Sequence, residues 1–198
     1  MKKVLLLLPE GFETFEASVF LDVIGWNLVD GDHTTELFTC GLRHEVKTSF
    51  NQKWVVDYQV NDINVDDYDA LAIPGGFEAY NFYNDGYNEE LLNLIRAFEA
   101  KNKLIASICV GALLLGKSGI LKNRKATTYN KTPKRFETLK SYCANVIKEP
   151  IVLDNNVITS WDPSTAIDVA LLLLEKLTNK PNADYIKEIM GFDERKRY

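Results

Sequence analysis

The chain has 198 residues, 46% hydrophobic and 26% charged, with a formal net charge of -5. That composition is ordinary for a globular protein with a sizeable core, so residues 1–198 are read as a single domain. The acidic balance and the lack of a basic face argue against nucleic acid as a main partner, and no apolar run approaches a membrane span.

The apolar run Val4–Leu8 within MKKVLLLLPEGF is too short for a secretory signal, and Pro9-Glu10 ends it without a cleavage site. Three widely spaced cysteines, Cys40, Cys109 and Cys143, form no CxxC pair. An odd, scattered set argues against a disulfide framework or a zinc site and fits a reducing, cytoplasmic setting. The two histidines, His33 and His44, both precede residue 50 and read as surface residues.

In chain order the pattern alternates strand and helix. VLLLLP (4–9) is a continuous apolar run suited to a buried parallel strand. Phe20, Val23, Ile24 and Leu28 recur at helical spacing from about Thr14 to Asp30, with Gly31 as a stop signal. TELFTCG (35–41) reads as a strand, and 45–60 as a hairpin or edge excursion turning near Asn51-Gln52. YDALAIPGG (68–76) reads as a buried strand, NEELLNLIRAFEA (88–100) as an amphipathic helix, KLIASIC (103–109) as a strand and GALLLGKSG as a short helix. ATTY (126–129) suits a short strand and TPKRFETLKSY (132–142) a polar surface helix. Two strands follow around Asp154-Asn155-Asn156. Asp162 and Pro163 then open an apolar helix over roughly 163–178, expected to be buried on two sides. This alternation predicts an α/β fold with an open, mostly parallel sheet covered by helices on both faces.

Ligand sites in such sheets lie beyond the carboxyl ends of the strands. Three segments meet there: PEGFETFE, PGGFEAY and the Cys109-Val110-Gly111 turn. Strand, nucleophile, tight turn and helix make the elbow unit that projects a side chain into a cleft, here with Ser107 in place of the first glycine of GxSxG. A thiol at a helix N-terminus is expected to have a lowered pKa. On spacing alone the alternative of a buried structural cysteine stays open. Cys40 and Cys143 lack any such surroundings.

Glu10 and Glu13 suit a helix N-terminus, whereas Glu16 shares the sheet-facing stripe with Phe20 and Val23. A carboxyl there would be desolvated, its pKa raised, and its protonated form able to donate to a thiolate. Gly75-Gly76 reads either as a strand-ending turn or as amides turned towards developing negative charge. No GxGxxG or GxxxxGK[ST] is present, and the acidic PEGFETFE would repel phosphate. No cofactor and no metal are expected.

LLLLPEGFETFEA, ALAIPGGFEA, LIASICVGALLLGKSGILKNRKATTY and VITSWDPSTAIDVALLLLEKL together resemble the ThiJ/PfpI family, that of the Parkinson-associated deglycase, within the class I glutamine amidotransferase-like superfamily. The resemblance implies a flavodoxin-like three-layer sandwich, usually dimeric. It makes Cys109 the elbow nucleophile, Glu16 its hydrogen-bonding acid, and Gly75, Gly76 and Val110 the oxyanion-hole amides. Tyr129, Trp161 and Asp162 are candidate pocket residues, with burial for Tyr129 and helix capping for Asp162 as plainer roles. The family's protease-like branch carries a histidine directly after the cysteine, and many members carry one after the paired threonines. Val110 and Tyr129 stand in those places, so a peptidase or amidase function is poorly supported.

The implied function is that of a small-molecule enzyme in which Cys109 attacks an electrophilic carbonyl or related carbon, as in glyoxalase-, deglycase- or isocyanide-hydratase-like chemistry. The alternatives are a cysteine-based redox sensor working as a protective or regulatory homodimer, and a ligand-binding module with a vestigial site.

Overall fold

The computed structural model describes residues 1–142 and 145–192. Its strands are β1 (Lys2–Leu7), β2 (Thr35–Gly41), β3 (Glu45–Lys47), β4 (Lys53–Val55), β5 (Tyr58–Gln59), β6 (Ala70–Ile73), β7 (Leu104–Ser107), β8 (Lys125–Ala126), β9 (Asn145–Val146), β10 (Ile151–Asp154) and β11 (Val157–Ser160). Its helices are α1 (Thr14–Asp30), α2 (Phe82–Gly86), α3 (Glu89–Ala100), α4 (Gly111–Ser118), α5 (Pro133–Tyr142), α6 (Ala166–Leu177) and α7 (Lys180–Ile189).

Seven strands form the central sheet in the order β10-β11-β7-β6-β1-β2-β5. Every pairing is parallel except β10 with β11. The continuous apolar runs explain this arrangement. Residues 4–8, all of β6 and all of β11 are buried, because helices cover both faces of the sheet. Helices α1, α6 and α7 pack together, as do α3, α4 and α5, giving the three-layer flavodoxin-like sandwich expected from the sequence.

The chain runs outward from β1 to β2 and β5, then returns to build β6, β7 and β11 on the other side of β1. The strand order therefore reverses between β1 and β6. The connections leaving these strands diverge there and open a crevice at their carboxyl ends.

Local boundaries follow the side chains. Helix α1 buries Glu16, Phe20, Val23, Ile24 and Asn27 along one stripe, and the Glu13 carboxylate caps it by accepting the Glu16 N–H. Helix α4 stops at Gly119, whose φ of 93° is left-handed. Asp162 accepts the Ser164 N–H, and Thr165 answers with its hydroxyl in a capping box.

The structure corrects several expectations. The helix expected at 163–178 opens as a tight 3-10 turn, Pro163–Thr165, before α6 begins. Its burial is one-sided: Asp168 and Lys176 face solvent while Ala166, Val169, Ala170, Leu173 and Leu174 are buried. Helix α7 was not apparent because it is mostly polar and buries only Ala183 and Ile186. The strand expected at 126–129 shrinks to β8, since Thr127 and Thr128 are engaged elsewhere. The 45–60 segment gives the expected hairpin, β3 with β4, and then adds β5 to the sheet edge.

Asp162→Ala removes the cap while leaving the core intact. It should lower unfolding stability by about 1 kcal/mol, and Asp162→Asn should retain most of that stability. Urea denaturation of the three proteins measures this, and equal losses in both variants would refute a capping role.

Candidate active site

Three connections meet at the crevice: residues 9–13 after β1, Pro74–Phe77 after β6, and Ile108–Val110 after β7. The first is clamped from both sides. Gly11 N donates to Lys47 O at 2.7 Å, Ser49 N to Phe12 O at 2.8 Å, and Glu13 N to Gly75 O at 2.8 Å. The hairpin and the β6 turn thereby fix where α1 starts.

Cys109 sits at φ 56°, in the left-handed region that a non-glycine residue enters at a cost of about 1–2 kcal/mol. Neighbouring bonds hold it there. Ile108 N donates to Ile73 O at 3.1 Å, Gly111 N to Ile108 O at 2.9 Å, and the Thr128 hydroxyl to Cys109 O at 2.9 Å. Thr127 is fixed in turn by donating its N–H to Thr159 Oγ1. At Gly111 a Cβ would meet Pro74 O at 2.8 Å and Ile73 O at 3.0 Å. The glycine two residues after the thiol thus lets α4 start hard against the end of β6.

Glu16 has no solvent exposure, and its Oε2 accepts the Gly75 N–H at 2.6 Å. Burial is the main cause that raises its pKa to about 8; the Gly75 bond opposes the rise and the charge of Glu13 adds to it. The carboxyl is therefore protonated at neutral pH. It meets the Cys109 thiol without a well-directed hydrogen bond, and Oε1 is buried with no partner, yet each group shifts the protonation of the other.

The expected lowering of the Cys109 pKa is absent. The residue is only 9% exposed, and burial pushes the thiol up, followed by repulsion from a charged Glu16. The helix N-terminus contributes through Val110 N–H, which lowers the thiol's pKa by less than burial raises it. Once Glu16 is protonated its repulsion disappears and its O–H can serve a thiolate, so the pair titrates as one unit.

The two groups open into a cavity of about 240 Å³ lined also by Gly76, Val110, Tyr129 and Arg135. Gly75 is not among the lining residues and its amide is committed to Glu16; of the three residues expected to supply oxyanion amides, Gly76 and Val110 line the cavity. A Cβ on Gly75 would lie 2.7 Å from Glu16 Oε2 and 2.9 Å from Cys109 Cβ, so glycine is what lets acid and thiol come together. Tyr129 lines the cavity. Trp161 instead lines a neighbouring groove with Asn130, Phe136 and Lys148. Asp162 is a cap whose charge is felt by both Glu16 and Cys109.

The remaining candidates stay apart from the cavity. His33 and His44 are exposed. Cys40 is fully buried in β2, where desolvation pushes its thiol up. Cys143 lies outside the described residues. Among the described residues no group of His, Cys, Asp and Glu is placed to hold a metal. The sequence reading overlooked Thr128, whose partner is a distant carbonyl, and Arg135, which it assigned to a surface helix. The paired threonines carried the only signal for the first; nothing in KRFETLK separates Arg135 from its solvated neighbours.

The DJ-1/PfpI family model matches residues 2–176. Arabidopsis thaliana protein DJ-1 homolog A is 28% identical over 190 residues, covering 96% of this chain and 46% of its own length. The isonitrile hydratase of Pseudomonas putida is 30% identical over 119 residues, covering 60% of this chain and 50% of its own. The chain thus spans about half the length of these two relatives. The crystal structure of Drosophila melanogaster DJ-1beta superposes with a TM-score of 0.83 at 26% identity, covering 96% of this chain and 97% of that one.

A carboxyl whose pKa rises from 4.5 to about 8 on folding makes stability depend on pH. The native state keeps a proton that the unfolded chain releases, so this contribution is complete below pH 4.5 and is lost as pH rises towards 8. Relative to Glu16→Gln, the wild type should lose up to about 4 kcal/mol between pH 5 and 8.5. Urea titrations at the two pH values test this, and parallel behaviour of the two proteins would mean that Glu16 is ionised throughout.

Proposed function

The chain belongs to the DJ-1/PfpI family, and from that premise we propose that it is a cysteine-dependent enzyme acting on a small electrophilic carbonyl or related carbon centre. The observation that carries this reading is a neutral, buried Glu16 carboxyl beside a strained Cys109, both facing one cavity that Gly76 and Val110 also line. In the thiolate and carboxylic acid form of the pair, the sulfur adds to the substrate carbon and forms a C–S bond. The C=O π pair moves onto oxygen, where the two amides stabilise it. Glu16 then passes its proton to that oxygen, leaving a hemithioacetal and a carboxylate. For a 2-oxoaldehyde, the carboxylate next takes the proton from the former aldehyde carbon, and its return to the neighbouring carbon leaves a thioester that water hydrolyses to a 2-hydroxy acid and the free thiol. With no imidazole in the cavity the same acid serves both directions, and slow turnover follows.

The family relationship extends the proposal to a homodimer. Helix α1 leaves Phe15, Trp26 and Val29 exposed, and the hairpin leaves Phe50 and Val55 exposed, which supplies apolar surface for a second copy. No helix among the described residues is long and apolar enough to cross a membrane, and the cysteines Cys40 and Cys109 are unpaired; both fit a cytoplasmic setting.

A second reading draws on the same acid. A carboxyl O–H beside the sulfur could hydrogen-bond a sulfinate oxygen and make Cys109 a redox sensor.

Turnover of methylglyoxal, of glyoxylate and of an alkyl isocyanide separates the two. Saturable wild-type kinetics are expected for one of them, with kcat/KM falling at least ~1000-fold in Cys109→Ser and on the order of 100-fold in Glu16→Gln. Wild-type turnover equal to that of Cys109→Ser would end the enzyme reading. No turnover, together with selective gain of two oxygens at Cys109 under mild peroxide, would establish the sensor.

A further inference from the structure

The cavity holds one cation and three acids, and their arrangement is uneven. Glu16 is neutral at pH 7. Glu13 directs its carboxylate at the start of α1, accepting Glu16 N–H at 2.8 Å. Glu78 sits on Arg135, with Arg135 Nη2 donating to its Oε2 at 3.2 Å. Among the described residues Arg135 is the only Lys or Arg side chain lining this cavity.

The two partners of that ion pair differ in how firmly they are placed. The Arg135 side chain is 20% exposed and its guanidinium lies 4.9 Å above the Tyr83 ring. The Glu78 side chain is 62% exposed. Such a half-solvated pair is weak, so exchanging Glu78 for another carboxylate costs little. Arg135 donates one hydrogen bond to Glu78, and a guanidinium offers five N–H donors in a fork shaped for a carboxylate. The Tyr83 hydroxyl is buried without a hydrogen-bond partner among the described residues, and it feels the charges of both Arg135 and Cys109. The guanidinium is therefore fixed at the thiol's end of the molecule, while its present partner is free to leave.

We propose that Arg135 is the carboxylate-recognition residue of the cavity, that Glu78 occupies it as an internal stand-in, and that the substrates are small electrophiles carrying a carboxylate. This rests on Cys109 being the nucleophile and adds the substrate class. A 2-oxo acid or aldehydo acid of two to four carbons has the right chemistry: one end pairs with Arg135 and the carbonyl carbon lies before the sulfur.

Alkylation of Cys109 by iodoacetate and by iodoacetamide tests the assignment without requiring turnover. In each case the thiolate forms a C–S bond and iodide leaves. The reagents are similar in size and differ in carrying a carboxylate or a neutral amide. The ratio of their rates cancels the thiolate fraction, so it reports only recognition of the anion. With glutathione as the reference thiol, the wild-type ratio should be raised several-fold at Cys109. Arg135→Gln should remove that excess, and Glu78→Gln should increase it by freeing the guanidinium. In an Arg135→Gln background the Glu78 substitution should lose its effect.

An unchanged ratio in Arg135→Gln, or a Glu78 effect that persists without Arg135, overturns the proposal. Because Glu78 is solvent-exposed, its variant tests the idea even if the Arg135 variant folds poorly. Failure of Cys109 to react with either reagent would instead count against Cys109 as a nucleophile, so the two failures are distinguishable.

Discussion

One backbone amide sets the geometry on which the candidate site depends. Gly75 N–H binds Glu16 Oε2 at 2.6 Å and joins the end of β6 to the first turn of α1. The same glycine has no Cβ to separate the carboxyl from Cys109. Its carbonyl accepts Glu13 N–H, and the Glu13 carboxylate caps the helix that carries Glu16. A closed loop of bonds therefore runs from strand end to helix cap to acid and back to the strand. Moving any member would shift the acid relative to the sulfur, and that separation decides where the shared proton resides.

This arrangement is unfavourable when considered alone. A carboxyl is buried with one oxygen unpaired, and a β-carbon-bearing residue occupies the left-handed region. Each feature costs on the order of 1–3 kcal/mol. The surrounding sheet offsets them. Leu5, Leu6, Leu7, Leu71, Ile73 and Ile105 are fully buried around the strand ends that carry the site, and each such side chain contributes roughly 1.5–3 kcal/mol. Concentrating strain where β1, β6 and β7 end keeps it next to the most rigid part of the fold. The acid and thiol are thus held by over-determined structure and not by their attraction for one another.

Much of this could be read from the chain before folding. A continuous apolar run followed by Pro-Glu-Gly or Pro-Gly-Gly marks a buried parallel strand, because both faces must be covered and the turn must be tight. The i, i+4, i+7 relation of Glu16 to Phe20 and Val23 put a carboxyl on a buried stripe and predicted its raised pKa. Other features were hidden for definable reasons. Whether a helix N-terminus lowers a thiol's pKa depends on how much solvent the sulfur keeps, and burial at Cys109 is a property of the assembled crevice. Gly75 and Gly76 look equivalent in the sequence, yet the amide of the first serves Glu16 while the second lines the cavity. Helix α7 is short and mostly polar, burying only Ala183 and Ile186, and is fixed partly by Asn182 donating to Asn27 Oδ1, a bond across 155 residues. Arg135 sits among Lys134, Glu137 and Lys140, and only the packing of α5 shows that it alone lines the cavity with the thiol.

Two residues, Val110 and Tyr129, occupy places where members of this family often carry histidine, and that absence changes the proton inventory of the site. An imidazole would let the sulfur ionise while Glu16 kept its proton. Here the exchangeable protons facing the sulfur belong to Glu16 and Cys109, and burial discourages negative charge on both. Removing one proton from the pair leaves a single negative charge in a confined space of about 240 Å³. Asp162 and Glu13 act against that charge. Among the residues lining the cavity, the compensating cation is Arg135, and its balance depends on whether Glu78 is seated on it. On the proposed chemistry, a carboxylate that replaces Glu78 would bring its own charge along with its carbonyl. The Gly76 and Val110 amides would then have to receive the developing oxyanion. The site is therefore arranged to recognise an anion at one end while it manages a single proton at the other.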